Sequence, residues 1–540
     1  MQRLLGVIVM AVCLRGQAQL PGAPSNAASL AQQIQAMVAE SAVARAHWGV
    51  MVTSMDGEPI FALNEGQLFQ PASNTKLFTT AAALALLQPG SRFETRVIAR
   101  GTPVNGVLKG DLVLRGDGDA NLSGRTIPYA EPPAKQDGLP ALHVLDEMAD
   151  AIAATGLKRI EGDFVGDDTL FPWQPYAIDW AQDDLVWGYG APVSALTIND
   201  NQLKLTIAPG RLPAVRSAHQ MDGPVPAHVS VEPATEYYSI RNEVVTTEPK
   251  TKSAVEIERL PGSRVLRVFG TMAEDAKPEV EEIAIDDPAE YAAMALKERL
   301  EARGIGVTGK ALARHRPLDN PAGFLEQARA PLAALGAGPQ GGIAPCLRCG
   351  TTRDVPGDEV LAVRRSATVG EDVVVTNKES QNLHAELLLH QLGVAFAADG
   401  STAQGARVVR QFLLNAGVDK DDFVFFDGSG MSGHDRVTPR AIAKLLHFAS
   451  KQPWFAEYKA SLPVGGVDGT LENRFTKPPL KGHVFAKTGT NSESRALSGY
   501  LECASGRTVI FSILVGDHAP GSSAEREVMD RMVAAIAAAE

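Results

Sequence analysis

Three short motifs, met in order along the chain, constrain it more than any other feature. They are Ser73-Asn74-Thr75-Lys76, Ser380-Gln381-Asn382 and Lys487-Thr488-Gly489. They read as S-x-x-K, S-x-N and K-T-G. Singly each is weak, since a Ser-x-x-Lys arises often by chance. In order, and each in a suitable local context, they point to one site assembled from distant stretches. Ser380 follows Ser73 by 307 positions, whereas Lys487 follows Ser380 by only 107. A lobe that carries all three must therefore accommodate a large insertion between the first two.

The local texture fits such an insertion. A chain of 540 residues exceeds one ordinary core, which implies roughly two to four domains. Residues 26–45 are rich in Ala and Gln with helical spacing, and Asn26 is a candidate cap. Residues 47–55 and 60–63 read as strands joined by a turn at Asp56-Gly57. Pro71-Ala72 precedes Ser73, and 77–87 is apolar and Ala-rich, so a helix is expected to begin at Ser73. Lys76 then lies one turn on, facing the same side. From about 96 the pattern turns mostly β, with one clear helix near 288–303 and a Gly/Pro-rich linker over 336–356. Beyond 361, a helix over 379–392, strands over 484–488, 496–502 and 508–515, and a final helix near 523–539 are expected. One lobe thus comprises 25–95 and 361–540, interrupted by 96–360 at a surface connection.

Hydrophobic residues make up 45% of the chain and charged residues 21%, as in soluble globular proteins. The net charge of −12, without a sustained basic run, argues against a nucleic-acid partner. Arg3, an apolar run over 4–14 and Gly16-Gln17-Ala18 fit a signal peptide of residues 1–18, cleaved after Ala18. The run is short of the about 20 residues that span a bilayer, so no stable membrane span is expected. The expected destination is the periplasm or the exterior. Met10-Ala11-Val12-Cys13 lacks the small residue that precedes a lipid-modified cysteine. Cys346-Leu347-Arg348-Cys349 follows a glycine-rich loop rather than a strand-to-helix junction, and has no second ligand pair nearby. A local disulfide fits it better than a redox or zinc site. Cys503 lies in an apolar stretch and reads as a buried free thiol.

Serine is a poor nucleophile and needs a base. Lys76 can be that base if burial and a second cation, Lys487, disfavour its ammonium form. At a helix start, the Ser73 N–H also faces developing negative charge. Ser73 alone would read as a helix cap, and Ser380-Gln381-Asn382 as the cap of the helix that follows. The company of all three motifs favours catalysis. Ser380 can relay a proton between Lys76 and a leaving amine, and Asn382 can bond a substrate amide. Lys487-Thr488-Gly489-Thr490 is expected on an edge strand, where its hydroxyls and ammonium suit a substrate carboxylate. Gly489 would let a substrate backbone approach, and the Thr490 N–H would complete an oxyanion hole with that of Ser73. Two other patterns carry no site. Asp117-Gly118-Asp119-Ala120-Asn121 opens like a calcium loop, but Leu122 and Pro128 occupy its sixth and twelfth positions. His384 and His390 miss the spacing of a zinc pair and read as surface or packing residues. No metal or cofactor is called for.

With these motifs the chain resembles the class C low-molecular-mass penicillin-binding proteins, the D-alanyl-D-alanine carboxypeptidase/endopeptidases. The resemblance extends to Gly110-Asp111-Leu112-Val113-Leu114-Arg115-Gly116, Ala191-Pro192-Val193-Ser194-Ala195-Leu196 and Asp427-Gly428-Ser429-Gly430. It also covers Leu462-Pro463-Val464-Gly465-Gly466, Asp468-Gly469-Thr470-Leu471 and the specific stretch Gln381-Asn382-Leu383-His384-Ala385-Glu386. It implies a β-lactamase/transpeptidase-like α/β domain, an antiparallel sheet flanked by helices, split by an insert. The insert would form a second domain from 96–175 and 275–360 and a β-rich third from 176–274. The resemblance further implies acyl transfer at D-Ala–D-Ala termini, or cleavage of D-Ala–diaminopimelate cross-links, in peptidoglycan stem peptides. β-Lactams would be covalent inhibitors. Ser73 would form the acyl-enzyme, Lys76 would be its base, Ser380 and Lys487 would assist proton transfer, and Asn382 would hold the side-chain amide. Asp167 and Phe171 in the insert, with Asp168 as the alternative acid, would meet the free end of diaminopimelate. The C-x-x-C loop is outside the family pattern. A β-lactamase or esterase on the same scaffold usually needs a Tyr-x-Asn or a dedicated Glu base, and Ser380 argues against the former. A non-catalytic wall-binding or β-lactam-sensing protein would not need every catalytic side chain.

Overall fold

Two stretches far apart in sequence close one sheet. Its strands run Val484–Thr490, Arg495–Glu502, Thr508–Gly516, His47–Ser54 and Pro59–Leu63 in spatial order, all antiparallel. The computed structural model describes residues 25–130, 139–212, 224–332, 357–397 and 399–540. The central strand Thr508–Gly516 is buried along nearly its whole length, because helices cover both faces. Its period-2 alternation sorts the side chains. Val509, Phe511, Ile513 and Val515 face the helices Ser25–Val38 and Ala524–Ala539. Ile510 and Leu514 face a core shared with Thr75–Leu86, Asn382–Ala397 and Pro439–Ser450. The second core is the one that carries the three motifs.

The insert leaves and returns side by side. Strand Glu94–Ala99 carries the chain out, and Glu359–Arg365 brings it back antiparallel, Glu359 opposite Ala99 and Arg365 opposite Glu94. These two strands form one side of a second five-stranded sheet with Leu112–Arg115, Phe164–Pro172 and Ala311–Arg316. Helices His143–Ala154 and Pro288–Ala302 pack into its core. Two three-stranded sheets are nested further in. Strand Glu279–Ala284 pairs with Gln202–Ala208, a pairing that crosses the expected boundary at 274.

Other local expectations shift as well. The insert holds a second long helix, His143–Ala154, whose buried Val144, Leu145, Met148, Ala149 and Ile152 follow helical spacing. Helix Val369–Lys378 starts at a capping box, Thr368 with Glu371. The helix expected over 379–392 is Asn382–Ala397, and Ser380 precedes it with φ of +61°. The leader 1–18, the linker 336–356 and Cys346/Cys349 lie outside the described residues. Cys503 is a buried free thiol whose pKa burial pushes up to about 11, which keeps it unreactive. Among the described residues no helix is long and apolar enough to cross a membrane.

Candidate active site

Ser73 sits in a short 3-10 turn, Ala72–Asn74, that feeds directly into helix Thr75–Leu86. The α-helix therefore starts at Thr75, two residues later than expected. Ala72 takes φ of +46°, a costly conformation for a residue with a Cβ. The turn is held from outside. The Asn74 side chain donates to the Lys487 carbonyl at 2.9 Å, tying the nucleophile's turn to the third motif's strand. Gly430, with φ of +87°, lies so close beneath that a Cβ there would meet the Ala72 carbonyl at 1.9 Å. Gly430→Ala is accordingly expected to destabilise the protein by about 3 kcal/mol. Denaturant unfolding measures it, and a loss below 1 kcal/mol would contradict this packing.

Two buried lysines divide the polar work. Lys76 Nζ lies 2.9 Å from Ser73 Oγ, 2.6 Å from Asn382 Oδ1 and 2.8 Å from the Ser429 carbonyl. Lys487 Nζ donates to Ser380 Oγ at 2.8 Å and to the Thr488 carbonyl at 3.0 Å. Both side chains are fully buried. Burial pushes the Lys76 pKa down to about 7, against the pull of Asp427 and Glu386. Burial first, and the neighbouring Lys76 second, hold Lys487 well below its ordinary value. With three acceptors around it Lys76 is well placed as an ammonium. Without one proton, its lone pair is free to take the hydrogen of Ser73.

Behind Lys76 lies a set of buried carboxyl groups. Glu386 accepts the backbone N–H of Gly428 at 2.9 Å and of Ser429 at 2.7 Å, so it fixes the carbonyl that Lys76 uses. Asp427 accepts from Gly430 and Ser432 and from the Trp180 indole of the insert. Asp435 accepts from Phe426 N and Thr75 Oγ1. Burial, with Asp427 nearby, raises Glu386 to about 8 and Asp435 well above the carboxylate range.

A half-buried serine within hydrogen-bond reach of a lysine of near-neutral pKa is a nucleophile–base pair. The family described as D-Ala-D-Ala carboxypeptidase 3 (S13) matches residues 30–335 and 340–539. The chain belongs to the S13 D-Ala-D-Ala carboxypeptidase family. It is 32% identical over 495 residues to the D-alanyl-D-alanine carboxypeptidase of Actinomadura sp. (strain R39), covering 91% of this chain and 81% of that one. It is 24% identical over 482 residues to D-alanyl-D-alanine carboxypeptidase DacB of Haemophilus influenzae, covering 88% and 86%. In fold it is similar to penicillin binding protein 4 (dacB) from Haemophilus influenzae, with a TM-score of 0.72 at 20% identity over 93% of this chain and 97% of that one.

In this S13 carboxypeptidase the third motif lies on an edge strand. Val484 and Ala486 bond outward to Gly465 and Pro463. The alternation of the ladder turns the main-chain groups of Thr488 and Thr490 to the same free edge. The Thr488 hydroxyl pairs with that of Thr470 at 2.8 Å. Packing also requires a glycine at 489: a Cβ there would meet the Pro71 carbonyl at 2.6 Å and the Ala72 Cβ at 3.2 Å. The absent side chain lets the strand lie against the Ser73 turn.

The insert residues carried over from the resemblance are placed differently. Asp167 is 2% exposed, and its carboxylate is taken by Thr169 and Arg314. Phe171 is 3% exposed, stacks obliquely on His390 and fills the space beside Gly118 and Gly400. Asp168 is bound by Ser194 and His315. All three are buried, so none presents its side chain to a substrate in this structure. Tyr189 of the insert does reach the catalytic motifs. Its carbonyl accepts from Asn382 Nδ2 at 2.9 Å, while its ring is 52% exposed and its hydroxyl donates to Asp184 at 2.8 Å. Sequence reading passed over Tyr189 and Glu386, although Glu386 ends the quoted stretch after Ser380. His384 and His390 are both fully buried, not on the surface.

Proposed function

We propose that this carboxypeptidase is an exported enzyme that hydrolyses D-Ala–D-Ala termini of peptidoglycan stem peptides through an acyl-enzyme on Ser73. D-Ala–diaminopimelate cross-links are its second substrate, and β-lactams acylate the same serine. The observation that carries the reading is the 2.9 Å contact of Ser73 Oγ with a buried Lys76 whose pKa is about 7. The neutral amine takes the Ser73 proton as Oγ bonds to the carbonyl carbon of the penultimate D-Ala. The oxyanion is met by the N–H groups of Ser73 and Thr490. The proton taken by Lys76 is relayed through Ser380, itself hydrogen-bonded to Lys487, to the leaving amine as the C–N bond breaks, so Lys76 is neutral again and D-alanine departs. Asn382 bonds the substrate's side-chain amide, while Thr488, Thr490 and Lys487 receive its terminal carboxylate. Water then takes the place of the amine and releases the shortened peptide. The apolar run and small-residue site of the leader support export.

Mass spectrometry of products from purified pentapeptide and cross-linked muropeptides tests this reading. Pentapeptide is expected to lose one D-alanine, and the cross-linked dimer to yield monomers. Failure to release D-alanine from pentapeptide would refute it. A chromogenic cephalosporin should be bound covalently and turned over slowly; rapid turnover would favour a β-lactamase instead.

A further inference from the structure

The second motif lacks support from its own backbone. Ser380 holds φ of +61° between two helices, a conformation that surroundings must impose at a cost of roughly 1–3 kcal/mol. Lys487 holds the Ser380 side chain, and its two neighbours are held by the insert. Glu379 and Gln381, on either side of Ser380, are both tied to it. Glu379 pairs with Arg125, and Gln381 Nε2 donates to Asp200 Oδ2 at 3.3 Å. Arg125 also bonds Asp200 Oδ2 at 2.5 Å.

His384 closes this network from behind. It lies two residues past Asn382 on the same helix and is fully buried. Its Nδ1 is 2.7 Å from Asp372 Oδ1 on helix Val369–Lys378, and its Nε2 is 3.2 Å from Asp200 Oδ1 in the insert. Carboxylates only accept, so both ring nitrogens must carry hydrogen to satisfy both contacts. A neutral packing histidine would need neither carboxylate. Asp372 Oδ1 is also bonded by Asn121 Nδ2 at 3.2 Å, and Asp119 holds the Asn121 N–H at 2.8 Å. The Asp117–Asn121 run, which fails as a calcium loop, thus becomes part of this junction. A buried network of this kind is costly unless fully connected, and Asp119 Oδ2, Asn121 Oδ1 and Arg125 Nε have no hydrogen-bond partner among the described residues.

We propose that His384 is a positioning residue of the carboxypeptidase: as an imidazolium between Asp372 and Asp200 it locks the Ser380-Gln381-Asn382 turn to the insert, so that acylation depends on the insert being docked. The inference rests on the Ser73 acyl-enzyme reading. The charged groups around the histidine are Asp372, Asp200 and Asp119, with Arg125, Glu379 and Glu282 of strand Glu279–Ala284 one step further out. Burial disfavours the charged ring, but the two carboxylates outweigh it and raise the pKa to about 9. A raised histidine pKa gives a contribution that is complete below the ordinary value and is lost as pH climbs through about 9. The acylation rate should therefore fall on that basic limb.

The test is the rate of fluorescent-penicillin acylation against pH in the mature full chain, for His384→Leu and Asp200→Asn, with melting temperatures alongside. His384→Leu is expected to lose about 100-fold in acylation rate through misplacement of Asn382 and Ser380. Asp200→Asn keeps the shape and one acceptor, and is expected to move the basic limb downward from about 9 by about one pH unit or more. A folded His384→Leu acylated at the wild-type rate would overturn the proposal. If that variant does not fold, Asp200→Asn decides, and an unmoved basic limb overturns it. Wild-type protein that takes no label at Ser73 would instead refute the acyl-enzyme reading. Labelling at Ser73 with indifferent variants would refute this inference alone.

Discussion

Ser73→Ala is expected to take no penicillin label and to lose about 10⁶-fold in D-alanine release, the scale seen when a nucleophile is removed. No other group in the site can take its place. Ser380 Oγ is held by Lys487 Nζ at 2.8 Å, whereas Lys76 bonds Ser73, and Lys76 itself is fully buried. The fold should survive, because the Ser73 side chain makes its one described hydrogen bond to Lys76. A melting temperature near that of the wild type would establish this. Labelling that persists in a folded Ser73→Ala protein would move the nucleophile elsewhere.

Lys76→Gln is expected to cost about 10⁴-fold in acylation, the upper range for a general base. The wild-type rate should climb as pH rises through about 7, where burial has brought the Lys76 pKa, since the neutral amine exists above that value. In Lys76→Gln the climb should vanish. Stopped-flow acylation by a chromogenic cephalosporin across pH measures both effects. A limb near 7 that persists in the variant would assign it to another group. The double variant Ser73→Ala/Lys76→Gln should be no slower than Ser73→Ala alone, because the two residues act as one unit. With the His384 limb near 9, the wild-type profile should be a bell.

Much of the chemistry was legible in the chain. Ser73, Lys76, Ser380, Asn382 and Lys487 could be named from spacing, and the structure ties them into two hydrogen-bonded sets, Ser73–Lys76–Asn382 and Ser380–Lys487. The strands that carry the third motif could be read from alternating and apolar runs. Residues defined by what they pack against were harder to read. The need for Gly489 to make room for the Pro71–Ala72 turn could not be read from the chain. Asp167 and Phe171 matched a family segment, yet their strand lies inside a sheet and under a helix, and their side chains are buried. His384 had no partner in sequence, because Asp372 and Asp200 reach it from 12 and 184 positions away.

The sequence alone determined which functional groups are present, their order, and the size of the interruption between them. Those properties depend on residue identity and on short-range helix and strand geometry. Tertiary structure decided the lowered pKa values of the two lysines, the left-handed turn at Ser380 and the tie between that turn and the insert. Each of these depends on burial and on charges brought close from remote parts of the chain. A pKa is set by the solvent excluded and by the neighbours within a few ångströms, whatever their distance in sequence.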